Sequence, residues 1–411
     1  MAQNDQNMNL EQMMDFAASI LFKEKRFDLA AKQVDILLKL DPTSTEAMFN
    51  GARCHYYNRD YKRALELIKK ADFFESGPGN KHDIQLEKAL ILSWLGEHRQ
   101  AYQILNSLEE DDRVLFNLGW HMLRQGKIKD GFELLERGRS INVWGGATAP
   151  KTIVQYDGTQ PLSKKSIVII NEGGNGDEII FARFAKYLKQ LGASRVDMLA
   201  SKQMVDLLQD IDGIDSISAG PINEDDSDFW VPSMSLPYVL GIDEIDGTPY
   251  IKPKQHKIDE WRDRLILNPD RKHVGVRWQG GPLFEYDQRR TLPIDDLCRV
   301  LQRYSLISLQ KESDDKYPDN LRNLENSIRS WDDTAAIIHL MDFVVTSCTA
   351  VAHLAGAMGK KTIVITPIVP YFTWAEKGIR TPWYDSVTVL SQMTPYHWCD
   401  ALSSILLFTE K

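Results

Sequence analysis

The first third of the chain repeats itself, and that periodicity constrains the fold more than any other feature. RFDLAAKQVDILLKLDP (26–42) aligns with DYKRALELIKKAD (60–72) at an offset of 34 residues, placing Phe27 on Tyr61, Ala30 on Ala64 and Leu37 on Ala71. A third unit sets His98 and Ala101 at the same two leading positions, and a fourth sets Ile128 and Gly131 there, at offsets of 37 and 30. The longer offset falls on ESGPGNK (75–81), a loop by its Gly and Pro content. Such a period predicts paired helices, with the small residue at the shared position letting the two axes approach.

The pattern resembles the tetratricopeptide repeat, a helix-turn-helix unit of 34 residues with a proline after its second helix, where Pro42 stands here. The resemblance covers residues 9–145, well kept in the first two units and degenerate in the last two. It implies a helical solenoid whose concave groove takes a peptide or partner chain. Four units that simply pack against the next domain fit the sequence equally well. Tyr56, Tyr57, Trp94 and Trp120 are expected inside the solenoid rather than on a ligand.

Beyond GGATAPKT (145–152), short β-branched runs alternate with helical stretches, the signature of parallel α/β sheets. Strands are predicted at 166–170, 195–199, 215–219 and 229–232. After a helix near 258–266 and the turn NPDR (268–271) a second series follows at 273–278, 306–309, 343–346, 361–366 and 387–390. The expected architecture is α + α/β: a helical domain over 1–145, then one Rossmann-like domain over 146–265 and another over 266–411, whose last helix is free to pack back on the domain before it. Ligands of such folds bind at the carboxyl ends of the strands.

A chain of 411 residues, 43% hydrophobic, buries a sizeable core in more than one domain. Its net charge of −9 gives no basic footprint for nucleic acid or anionic membrane. Cys54, Cys298, Cys348 and Cys399 are scattered and form no CxxC pair, which fits a reducing compartment. The N-terminus lacks the pattern of a signal peptide and no run of about 18 apolar residues occurs, so a cytoplasmic protein is expected.

Two strand-to-helix elbows stand out. In SIVIINEGGNGDEIIFARFAKYL, Gly174, Asn175, Gly176 and Asp177 open a helix. The spacing is not the dinucleotide G-x-G-x-x-G, and Asp177 puts a negative charge where an anion would go. From spacing alone Asp177 reads as a cap for orphan amides. In DFVVTSCTAVAHLAGAMGKKTIVIT (342–366), the Thr349 hydroxyl and the amides of Thr349, Ala350 and Val351 are placed to face a diphosphate, with no acid to repel it. His353, one turn into that helix, falls on the donor side, where a core histidine or one that supports the binding residues from behind is expected rather than a catalytic one.

VGVRWQGGPLFEYDQRRTLP (274–293) adds Arg277, Gln279, Arg289 and Arg290 around a Gly-rich loop, and forked guanidiniums suit diphosphates. Gln310 and Lys311 in SLQKES (308–313) suit a base or ribose. The triplet DSD (226–228) reads as a solvated acidic turn rather than a metal site, and no His/Asp cluster has metal spacing.

Taken in order, GGNGDEIIFARFAKYL, PSMSLPYVLGIDEIDGTPYI, the arginine loop, SLISLQKE, WDDTAAIIHLMDFVVTSCTAVAHLAGAMGKKTIVITP and TPWYDSV resemble the heptosyltransferase-like glycosyltransferases of family 9, in the subgroup that follows tetratricopeptide repeats. The resemblance spans about residues 150–395. It implies a GT-B architecture, acceptor on the first Rossmann-like domain with Ser235 beside the glycine loop, and a nucleotide-diphosphate sugar on the second. No cofactor or metal is implied. It makes Asp177 the general base for an acceptor hydroxyl. Family members usually carry Asp before the Thr of the second elbow; here Cys348 stands there, and Arg277 replaces a smaller or apolar group, so ADP-heptose is not implied as donor. The acceptor is left open among a glycan, a lipid-linked glycan, a protein and a modified nucleic acid. The competing reading is a non-catalytic scaffold with a degenerate transferase module.

Overall fold

The computed structural model describes residues 10–221, 226–281, 287–311, 316–374 and 378–409. Residues 223–225 of the acidic loop, 282–286 of the arginine loop and 312–313 after Lys311 lie outside them. The chain forms two compact units, Met1–Val114 and Leu115–Lys411.

The first unit is built from helix hairpins: α1 (Leu10–Lys23) with α2 (Phe27–Leu40), α3 (Thr45–Tyr57) with α4 (Tyr61–Phe74), and α5 (Pro78–Trp94) with α6 (His98–Ser107). α7 (Asp112–Arg124) crosses the boundary, and α8 (Ile128–Leu135) and α9 (Arg137–Ser140) belong to the second unit. Ala30, Ala64 and Ala101 are fully buried. A side chain on Gly131 would overlap Leu123, so the small residue is required where the helices cross.

The hairpins share one more device. Lys25, Arg59, Gly96 and Gly126 all adopt left-handed φ, between 57° and 85°. The residue after each donates back to the carbonyl five positions earlier: Arg26 to Leu21, Asp60 to His55, Glu97 to Leu92 and Lys127 to Met122, at 2.8–3.0 Å. These are Schellman closures of the first helix of every unit, and they recur at the same offsets of 34, 37 and 30 that the sequence shows.

Among the expected core aromatics, Tyr56 is buried and takes a hydrogen bond from Trp94 Nε1 at 3.0 Å, while Tyr57 stacks on Phe27. Trp120 differs from expectation. It packs on Tyr371 and Phe372 of the α/β region, with ring centroids 5.4 and 5.6 Å away, rather than into a solenoid core.

The second unit holds two parallel sheets. The first, ordered β1-β5-β2-β3-β4, comprises Val154–Gln155 (β1), Ser166–Ile170 (β2), Arg195–Leu199 (β3), Ser216–Ser218 (β4) and Phe229–Pro232 (β5). The second, ordered β11-β10-β9-β6-β7-β8, comprises His273–Arg277 (β6), Ser305–Ser308 (β7), Leu321–Arg322 (β8), Phe343–Ser347 (β9), Thr362–Thr366 (β10) and Val387–Ser391 (β11). β9 and β10 are buried throughout, as central strands of a doubly covered sheet must be. All nine expected strands form; the two-residue edge strands β1 and β8 were not anticipated. Two Rossmann-like domains of the GT-B kind are thus present.

Each strand order reverses at one point. In the first sheet β5 returns to the far side of β2; in the second β9 returns to the far side of β6. The carboxyl ends of β2, β6 and β9 therefore carry the glycine elbow, the arginine loop and the second elbow at topological switch points. The last helices, Cys399–Ser404 and Leu406–Thr409, stay with the second sheet, where Ala401, Leu402 and Ile405 join its core.

Candidate active site

The two elbow helices, Asn175–Ala182 and Ala350–Ala357, pack against each other. Their closest approach is at Gly176, where a Cβ would lie 3.1 Å from His353 Cδ2 and 3.6 Å from Ala350 Cα. A methyl here would press on the His353 ring, so glycine favours the side-by-side approach of the two helix N-termini.

On the first elbow, Gly173 has φ +77°, and a side chain there would overlap the Asp177 carboxylate. The Gly174 amide donates to Asp177 Oδ2 at 2.8 Å, so Gly174 is the N-cap and Asp177, at the third helical position, closes a capping box instead of being the N-cap itself. Its other oxygen, Oδ1, accepts from the Tyr371 hydroxyl at 2.6 Å. Asp177 is half-buried by surface but densely surrounded, and this desolvation raises its pKa above the ordinary carboxylate range against the pull of Tyr371, Gly174 and Arg290. Asn175 is held by Gln203 Nε2 at 2.7 Å.

On the second elbow, Thr349 is the N-cap, buried, without a capping side-chain bond, and no acid lies in the first turn. Its hydroxyl sits 3.5 Å from that of Thr346. The Thr349 amide, expected to face a diphosphate, donates instead to the Ser347 carbonyl at 2.8 Å, closing the tight turn; among the three expected amides it is the one spent inside the fold. Cys348 is buried, its thiol pushed up to about 11 by desolvation, so it stays protonated. His353 is pushed down to about 3 by burial and by Arg183 and Arg290, and stays neutral. Its ring stacks on Trp374 with centroids 4.8 Å apart, and Nδ1 lies 3.1 Å from the Tyr384 hydroxyl. The core reading of His353 therefore holds for most of its ring.

Arg290 reaches between the elbows. Its Nε donates to Asp287 Oδ1 and its Nη1 to the Cys348 carbonyl, both at 2.8 Å. Asp287 in turn accepts from the Gly280 amide at 3.0 Å, tying the arginine loop to the second elbow. Arg289 is buried. Arg277 is half-buried and donates to the Leu309 carbonyl at 2.9 Å, joining the ends of β6 and β7. Gln279 is half-buried, Gln310 is buried with its backbone N–H donating to Ser308 Oγ, and Lys311 is exposed. Asp228 of the acidic triplet caps the start of β2 through Ser166 and Lys165, which hold its carboxyl at about 2; it is a structural turn.

Ser235 lies on the turn Ser233–Ser235, which packs against the first elbow helix, but its hydroxyl is already engaged. It is buried, accepts from Arg139 Nη2 at 2.7 Å and donates to Glu136 at 2.9 Å. Arg139 also makes a bidentate pair with Glu172, both bonds 2.8 Å, and Glu172 accepts from the Gly146 and Ala147 amides. This knot anchors the base of the glycine elbow to α8 and α9. Its other members, Glu136, Arg139 and Glu172, with Tyr371 and Arg183, were missed by sequence reasoning. Arg183 ends the first elbow helix, donates to the Trp383 carbonyl and Tyr250 hydroxyl, and lies 4.8 Å over the Tyr384 ring. Among the described residues no group of three metal-ligating side chains gathers, and no helix is long and apolar enough to cross a membrane.

No protein-family model matches the chain. Protein FlbA of Caulobacter vibrioides is 23% identical over 78% of this chain, which spans 59% of FlbA's length. Among solved structures, a glycosyl transferase of family 9 from Veillonella parvula is similar at 10% identity with a TM-score of 0.43, over 57% of this chain and 88% of that one. The ADP-heptose lps heptosyltransferase II of E. coli is similar at 13% identity with a TM-score of 0.43, over 60% of this chain and 100% of that one.

Proposed function

We propose that this chain is an inverting glycosyltransferase that moves a sugar from a nucleotide-diphosphate donor to an acceptor hydroxyl, with no metal of its own. The observation that carries the reading is the pairing of unlike elbows at Gly176: a pinned carboxylate on one, an acid-free helix N-terminus with Arg290 on the other. The acceptor oxygen attacks the anomeric carbon as the bond to the diphosphate breaks. Asp177 takes the hydroxyl proton, and its raised pKa suits that role. The leaving diphosphate gains charge, which Arg290 and the amides of Ala350 and Val351 neutralise. The helical repeats, on this reading, recognise the acceptor or a partner protein.

The test is transfer or hydrolysis with a panel of nucleotide sugars, comparing wild type with Asp177→Asn. Undiminished transfer by the variant would remove Asp177 from the mechanism. Calorimetry with UDP, ADP, GDP and CMP separates this reading from a scaffold: no heat with any of them favours the scaffold.

A further inference from the structure

Asp177 is not held by its own loop alone. Tyr371 arrives from 194 positions away along the chain, on the loop after β10, and donates to Oδ1 at 2.6 Å. With Oδ2 on the Gly174 amide, both carboxylate oxygens are fixed and the side chain has one orientation. The Tyr371 loop is held from outside the two sheets. Arg124 Nε donates to the Pro370 carbonyl at 2.7 Å, the Arg124 guanidinium lies 5.4 Å over the Trp120 ring, and Trp120 packs edge-on against Tyr371. All of these residues belong to one compact unit.

We propose that Tyr371 is the positioning residue for the Asp177 carboxylate, and that the end of α7 holds Tyr371 in place through Arg124 and Trp120. The proposal rests on the reading of Asp177 as base. The charged and titratable groups acting on Asp177 are Tyr371 from the loop, Arg290 from the arginine loop and Glu178 beside it on its own helix, while the neutral His353 of the second elbow helix lies next to Gly176. Burial and the Asp177 charge keep the tyrosine hydroxyl well above its usual pKa, so it remains a donor at any working pH. A hydrogen bond given to the charged form stabilises the carboxylate, so removing it raises the Asp177 pKa further.

The test needs no donor sugar. The Asp177 carboxyl is followed by its carbon-13 chemical shift against pH in the full chain, assigned by its loss in Asp177→Asn. Tyr371→Phe is expected to move the titration midpoint up by about one pH unit. Arg124→Met moves it in the same direction by less, and adding it to Tyr371→Phe moves it no further. An unmoved midpoint in Tyr371→Phe overturns the proposal; should that variant not fold, an unmoved midpoint in Arg124→Met does so. If the midpoint shifts while Asp177→Asn transfers sugar normally, the positioning stands and the base reading falls. If Asp177→Asn is inactive and the midpoint is unmoved, the base reading stands and the positioning falls.

Discussion

The two elbows are the same supersecondary unit used to opposite ends. Each follows a buried parallel strand at a switch point, turns through small residues and opens a helix of eight residues. In the first, an acid at the third helical position consumes an amide and brings negative charge. In the second, that position is Ala352 and the first turn is apolar, so the partial positive charge of the N-terminus is left for something else. On the proposed reading, one residue type at one position separates a proton acceptor from an anion seat, and the two would serve the attacking and the leaving oxygen on opposite sides of one anomeric carbon.

The largest effect is expected from erasing the difference on the first elbow. Asp177→Asn should lower kcat by roughly 10²–10⁴-fold while the dissociation constant for nucleoside diphosphate changes little, as read by steady-state kinetics and calorimetry. In the wild type, transfer should fall as pH drops through the Asp177 pKa, because only the ionised carboxylate accepts a proton. With that pKa raised, the fall begins at higher pH than for an ordinary carboxylate; a limb placed with unperturbed carboxylates would contradict the burial argument. His353, neutral down to about pH 3, adds no limb of its own.

Erasing the difference on the second elbow comes next. Ala350→Asp places an acid in an acid-free first turn. It should weaken nucleoside diphosphate binding by about tenfold or more, while the helix itself is favoured by the acid at its N-terminus. Unchanged calorimetric affinity would dissociate the anion seat from this helix. Separating the elbows is milder. A methyl on Gly176 meets a His353 ring that is fixed by Trp374 and Tyr384, so Gly176→Ala should lower stability by about 1 kcal/mol, read by denaturant unfolding. The smallest effect is expected from Cys348→Ser, which leaves the carbonyl that Arg290 holds. Turnover should stay within about twofold, and the wild-type thiol, protonated up to about pH 11, should resist alkylation.

These elbows were legible in the sequence because their chemistry is local. A β-branched run, small turn residues and a helical stretch lie within some twenty positions, and register follows from the parallel sheet. The repeats were legible for the same reason, down to the drift of their offsets. Left-handed Lys25 and Arg59 were not, since neither is a residue that advertises positive φ. Tyr371 was invisible because nothing near IVPYFTW marks it; its meaning comes from a carboxylate far away in the chain. The family resemblance set Ser235 beside the glycine elbow, where its turn does pack, but the charge knot that occupies its hydroxyl depends on Glu136 and Arg139, nearly a hundred positions earlier. The Thr349 amide illustrates a different limit: a turn tight enough to present a helix end can use up one of the donors it presents.

The Arg139–Glu172 knot also decides where this chain tolerates recombination. Exchange of helical arrays in the turn Leu108–Asp111, ahead of α7, would stay close to the partition into compact units and leave the last hairpin whole. Exchange at residue 145 would carry away Phe132, whose ring meets Phe181, Phe372 and Trp383, together with the guanidinium that neutralises Glu172. Leaving that carboxylate buried alone costs on the order of 3–5 kcal/mol. The last helical hairpin thus goes with the sheets as a collar, and exchange of helical arrays is expected to be tolerated only upstream of it.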